Sequence, residues 1–344
     1  MRRTVCSMSL LVLCGTACLG SGCSSAVQPS AAIPGDTVAA STVARGPRTA
    51  RSGVLLPSDL VLPNPERQTT ERGWLSPEAK TAKKIVYVAD QDSGAVEIYS
   101  QAGSNQQPIG AITSGIAGVD GLFVDRARNL YACNFGGGTV TVYPAGSTTP
   151  SLTLTGAGSP IDVAVARNGT VYVANFASGT NGTVLVYPKG QTSPSKTLVT
   201  FGAGSFPEGM TLDSKSNLYV AFNTNDGEVL EFAPNSASGK NLGIHVGYVG
   251  GLTIDHSGDL LLVDQNGPSV DVFPPGATEP SAVIKGFGLA FDISIDKSNA
   301  DIYVTNPFSP PSVDEVSYPA GTIVDTITSG LSSAFGVATS PAAR

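Results

Sequence analysis

Residues 209–232 read GMTLDSKSNLYVAFNTNDGEVLEF. Three runs with apolar residues at alternate positions, 209–212, 218–222 and 229–232, are separated by two clusters of Asp, Asn, Ser, Thr and Gly. Alternation with a period of two marks half-buried strands, and such clusters mark tight turns, so the stretch predicts an antiparallel meander. The middle run recurs along the chain as YVAD, YACN, YVAN, YVAF, LLVD and YVTN, centred on Tyr87, Tyr131, Tyr172, Tyr219, Leu261 and Tyr303. These anchors are 44, 41, 47, 42 and 42 residues apart.

Each repeat extends in both directions. The run before the anchor reads GLFVD from Gly121, DVAVA from Asp162, GMTLD from Gly209, GLTID from Gly251 and DISID from Asp292. The run after it ends in an aromatic, at Tyr99, Tyr143, Tyr187, Phe232, Phe273 and, after a longer insertion, Tyr318. A turn such as PAGSTTPS from Pro144 or PKGQTSPS from Pro188 leads to a fourth run. Four short strands per 40–45 residues form a sheet with two apolar faces, which is stable only when stacked against copies of itself. The first repeat, from Ile85, lacks its leading strand, and Phe335-Gly336-Val337-Ala338-Thr339 near the C-terminus matches it. The sequence therefore predicts an all-β protein, a six-bladed β-propeller closed by pairing of the C-terminal strand into the first blade.

The repeats resemble those of the NHL and YVTN families of β-propellers, and the architecture is similar to the gluconolactonase/senescence-marker superfamily. The resemblance covers residues 85–340. It implies a metal held by acidic or Asn residues where the first strands begin, in contexts such as Asp-Gly-Met. Asp120-Gly121-Leu122 and Glu208-Gly209-Met210 match that context, which makes Asp120 and Glu208 the candidate metal ligands for a divalent cation such as calcium. Ile161, Phe291 and Phe335 depart from it at three corresponding positions. The activity implied is a metal-dependent hydrolase acting on a lactone or ester, in which the cation polarises a carbonyl.

In an antiparallel hairpin the start of the first strand lies beside the end of the second, so both face one mouth of the central channel. Asp90, Asn134, Asn175, Asp264 and Asn306 end second strands and could form a polar ring there. The same side chains could instead cap backbone amides of the loops that follow them. No catalytic residue is assigned. His245 and His256 have no recurring Ser or Asp partner, and paired Cys, clustered His or a phosphate-binding loop are missing.

The N-terminus carries a different message. Arg2, Arg3 and the apolar run from Leu10 to Leu19 read as a signal peptide, too short to span a bilayer. The small residues before Cys23 resemble a bacterial lipobox, which predicts residues 1–23 as leader and Cys23 as the lipidation site. Residues 24–80 read as a tether rich in Ala, Ser, Thr and Pro, with Ser76-Pro77 able to open a short helix and Trp74 able to pin the segment. The propeller is assigned to residues 81–344. Cys6, Cys14, Cys18 and Cys23 lie in the leader, which leaves Cys133 as a buried, inert thiol. Residues 85–344 carry 10 Lys and Arg against 22 Asp and Glu, a balance of −12, which argues against nucleic acid as a partner.

The sequence thus predicts a monomeric, exported protein, anchored by lipid at the cell envelope. It would act as a non-catalytic scaffold for an unknown protein or small-molecule ligand, with the hydrolase as the alternative.

Overall fold

A computed structural model describes residues 73–176, 181–224, 226–308 and 310–341. The leader, Cys23 and the tether up to residue 72 lie outside the described residues. The described chain forms six antiparallel sheets in sequence order, the six blades of a propeller.

Blade one contains strands Ile85–Asp90, Ala95–Ser100 and Gly110–Ile112, and Ala334–Ser340 pairs antiparallel with the first of these. Val86 faces Thr339 and Val88 faces Val337, so the C-terminal strand supplies the innermost position and the ring closes. The pairing hydrogen-bonds an edge that would otherwise be open. Each anchor residue sits on the second strand of its blade. Tyr87 faces Ile98, Tyr131 faces Val142, Tyr172 faces Val186 and Leu261 faces Val272, one register repeated around the ring.

The third-strand aromatics Tyr99, Tyr143, Tyr187, Phe232 and Phe273 are buried at 2% exposure or less. The three tyrosines also staple neighbouring blades. The hydroxyl of Tyr99 donates to the carbonyl of Ser329, that of Tyr143 to Ser114 and that of Tyr187 to Thr155, each on the chain leaving the preceding blade. In blade six the register puts Val316, not Tyr318, at this place. Tyr318 lies beyond the strand, and its hydroxyl donates to Asp255 of blade five instead. The insertion that lengthens this repeat had displaced the aromatic from its apparent alignment.

The sheet also reaches back into the 24–80 segment. Trp74–Leu75 pairs with Gly110–Ile112 as a fifth, outermost strand, and Ser76 caps the helix Pro77–Thr81 by accepting from the Ala79 amide. Leu75 packs on the blade-one core, whereas Trp74 is 45% exposed.

Candidate functional site

Each innermost strand runs from the mouth of the channel inwards. Five of the six slip register close to the same level, at Val119–Leu122, Ala174/Asn175, Pro207–Gly209, Val249–Leu252 and Val88–Asp90. An unpaired residue at such a bulge bends its strand, here at the level of the mouth. In blade order from one to six, the residues at this level are Phe335, Asp120, Ile161, Glu208, Gly250 and Phe291, followed one residue inwards by Gly336, Gly121, Asp162, Gly209, Gly251 and Asp292.

The second layer constricts the channel because its glycines let backbones touch. A Cβ on Gly121 would stand 2.3 Å from the Ile161 carbonyl, and one on Gly336 would stand 2.2 Å from that of Asp120. Asp162 and Asp292 belong to blades three and six, opposite one another in the ring. Each ties its inner strand to the next blade: Asp162 accepts from the Met210 amide, and Asp292 accepts from the Val337 amide at 2.9 Å. Beneath them the channel, also lined by Thr211, Thr253 and Ser294, has a volume of about 50 Å³. That is room for about one or two waters.

Among the described residues no Lys or Arg side chain pairs with these carboxylates. Burial and the nearby charge of Asp292 hold Asp120 well above the ordinary carboxylate range. Burial, then the charge of Asp120, does the same for Glu208. Asp162 is raised by burial and by Asp292, and Asp292 is pushed up to about 7 by burial against hydrogen bonds from the Val337 and Ile293 amides. Burial of a charge without a counter-charge favours the protonated acid.

The polar residues that end the second strands take the second of their two expected roles, as acceptors from loop amides. Asp90 accepts from the amides of Ser93, Ser332 and Ser333, Asn134 from Ala117, Asn175 from Gly158 and Ser159, and Asp264 from Gly247, Tyr248 and Asn266. Asn306 accepts from Phe308. They cap the loops around the mouth, and their oxygens are already occupied by backbone donors. Asn223 does the same for Val249. The one thiol, Cys133, is free and fully buried, as the apolar strand around it implies.

Sequence reasoning put Phe291 and Phe335 at the mouth but missed the rest of its aromatic lining. Phe135, Phe176, Phe206 and Tyr248 follow one another with ring centroids 6.4, 5.3 and 6.5 Å apart. Phe335 meets Phe291 edge-on at 5.1 Å and Phe308 at 5.9 Å, and Phe308 is 38% exposed. Their positions, just after a second strand or at the start of a first one, were the available signal. The mouth also concentrates orphaned groups. Among the described residues three buried side-chain polar atoms have no hydrogen-bond partner: Asp120 Oδ2 at this level, and Gln91 Nε2 and Gln265 Oε1 just past the mouth-side ends of second strands.

As a metal centre the residues fit poorly. Asp120 offers a free oxygen, but Ile161, Phe291 and Phe335 put carbon where further ligands would be needed. Among the described residues no group of three or more His, Cys, Asp or Glu side chains is arranged to hold a metal ion.

No known family matches the chain, and no curated protein does. Among solved structures, a chain from the crystal structure of a nidogen/laminin complex superposes with a TM-score of 0.61 at 18% identity, covering 75% of this chain and 98% of that one. At that identity the likeness concerns the fold.

Proposed function

We propose that this protein is a non-catalytic binding scaffold of the cell envelope, exported and held by a lipid on Cys23, whose channel mouth docks a protein or small-molecule ligand. We place it with the NHL/YVTN-type propellers on its repeats. The observation that carries the reading is the gathering of the three orphaned polar atoms at one aromatic-lined mouth. A buried polar group without a partner costs about 1–3 kcal/mol, a cost that a bound ligand's own donors and acceptors, or water, remove. Asp120 and Glu208 on one side and Phe291, Phe335 and Phe308 on the other suit a ligand with a cationic or donor-rich end and an apolar body. The narrowing at the second layer keeps that ligand at the surface.

The hydrolase alternative draws on Asp120 and Glu208 alone. Thermal unfolding of the chain in EDTA and then in excess calcium separates the two readings. The scaffold reading expects one melting temperature in both. A rise with calcium that disappears in the Asp120→Ala, Glu208→Ala variant would establish the metal site instead, because a ligand of the native state alone stabilises it. A photoreactive side chain at Phe308 should also cross-link a bound partner in cells, whereas the same group at Val324, 56% exposed on an outer strand, should not. Equal labelling from both positions would remove the mouth as the docking surface.

A further inference from the structure

A second cavity lies on the face opposite the mouth. It is lined by the turns that join the first and second strands of blades two, three and four, by the turn at Lys189 between the third and fourth strands of blade three, and by the outer strand of blade two, and its volume is about 540 Å³. That size falls within the range of about 300–1,000 Å³ usual for small-ligand sites. Leu152, Leu154, Val165 and Leu212 supply an apolar floor, and more of its lining is apolar than polar.

Its rim carries Arg126, Arg167 and Lys189, three of the ten basic residues in a segment that is otherwise strongly acidic. All three are exposed. Among the described residues the single ion pair is Lys84 with Asp296, so none of the three has a carboxylate partner. Two carboxylates also border the cavity, but both are turned into their own loops. Asp125 accepts from the amide and side chain of Asn129, and Asp213 accepts from the amides of Lys215 and Asn217 and from the Asn217 side chain. Amide donors offset their charge locally, whereas the guanidinium and ammonium groups remain available. Arg128, in the same turn as Arg126, is spent differently: it donates to Ser340 and to the carbonyl of Ala82.

We propose that this cavity binds a soluble amphipathic anion, its apolar body on the leucine and valine floor and its carboxylate, sulfonate or phosphate against Arg126, Arg167 and Lys189. Guanidinium groups suit such oxyanions because they donate two parallel hydrogen bonds. This site is independent of the channel mouth and of any partner held there.

The test is calorimetric titration of the full chain carrying Cys23→Ser with monomeric decanoate, decanol and decyltrimethylammonium. Decanoate should bind once per chain, and the other two far more weakly. The Arg126→Gln, Arg167→Gln, Lys189→Gln variant, whose changes are on the surface and should leave the melting temperature alone, should bind decanoate about ten-fold or more weakly, the effect of losing charge-assisted hydrogen bonds. Adding Phe308→Ala instead should change nothing. Equal affinity for the three probes, unchanged affinity in the triple variant, or binding to phosphatidylglycerol vesicles without binding of decanoate would overturn the proposal.

Discussion

Asp292 shows how one side chain can serve closure and strain at once. Its carboxylate links blade six to the closing strand through the Val337 amide, yet it is half-buried beside other acids, and desolvation pushes its pKa up to about 7. Asp120, Asp162 and Glu208 are shifted in the same direction, and burial pushes Asp90 up to about 6. A carboxyl with a higher pKa in the folded state than in the unfolded chain binds more protons when folded. Its stabilising contribution is complete below the unfolded value of about 4 and is lost as pH rises through the folded value. Thermal unfolding should therefore occur at a higher temperature at pH 5 than at pH 8. Each kcal/mol corresponds to about 2–4 °C in a chain of this size. Asp120→Asn removes an ionisable group that has one oxygen without a partner, so it should reduce this pH dependence. A melting temperature that rises from pH 5 to pH 8 would contradict the picture.

Among the elements, the strand Ala334–Ser340 decides most. It is buried along its whole length, pairs with Ile85–Asp90, and sends Phe335 into the mouth. Its Gly336 stands where neighbouring backbones meet, so a side chain there cannot be accommodated without moving the Asp120 carbonyl. Gly336→Ala should cost about 1–3 kcal/mol, the usual range for overpacking. Gly202→Ala is the control, since its Cβ would meet only Ser205 Oγ at 3.9 Å and its backbone does not require glycine. Denaturant unfolding should show the first variant destabilised and the second unchanged. Equal midpoints would mean that the inner ring is loose.

At the scale of the whole molecule, charge and anchoring divide the protein. The loops around the mouth carry Asp90, Asp92, Asp226 and Asp264, while the turns on the opposite face mix Arg126, Arg167, Lys215 and Lys297 with Asp125, Asp213, Asp255, Asp259, Asp296 and Asp301. An acidic mouth at one end and a local basic rim at Arg126, Arg167 and Lys189 at the other suit two classes of ligand. The proposed anchor is tested on the same scale. Mass spectrometry of membrane fractions should find Cys23 acylated, and Cys23→Ala should move the protein to the soluble fraction. Wild-type protein found soluble would remove the anchor.

By itself the sequence determined the class of fold, the number of blades, the order of their strands and the identity of the closing strand. Each of these follows from local alternation and from hydrogen bonds between consecutive strands, so a repeating pattern of apolar and turn residues suffices. Tertiary structure alone decided which acidic residues of the inner ring meet, and which of the two roles expected of the strand-end Asp and Asn side chains they take. Asp162 and Asp292, 130 residues apart in the chain, face each other because the ring closes, and Asp90 accepts from Ser332 and Ser333 because the C-terminal strand returns to blade one, whereas Asn134 and Asn175 bind amides within their own hairpins. The basic rim of the second cavity draws on turns of separate blades in the same way. A side chain's partner across the channel or across a blade boundary is set by the curvature of the ring, and no local spacing encodes it.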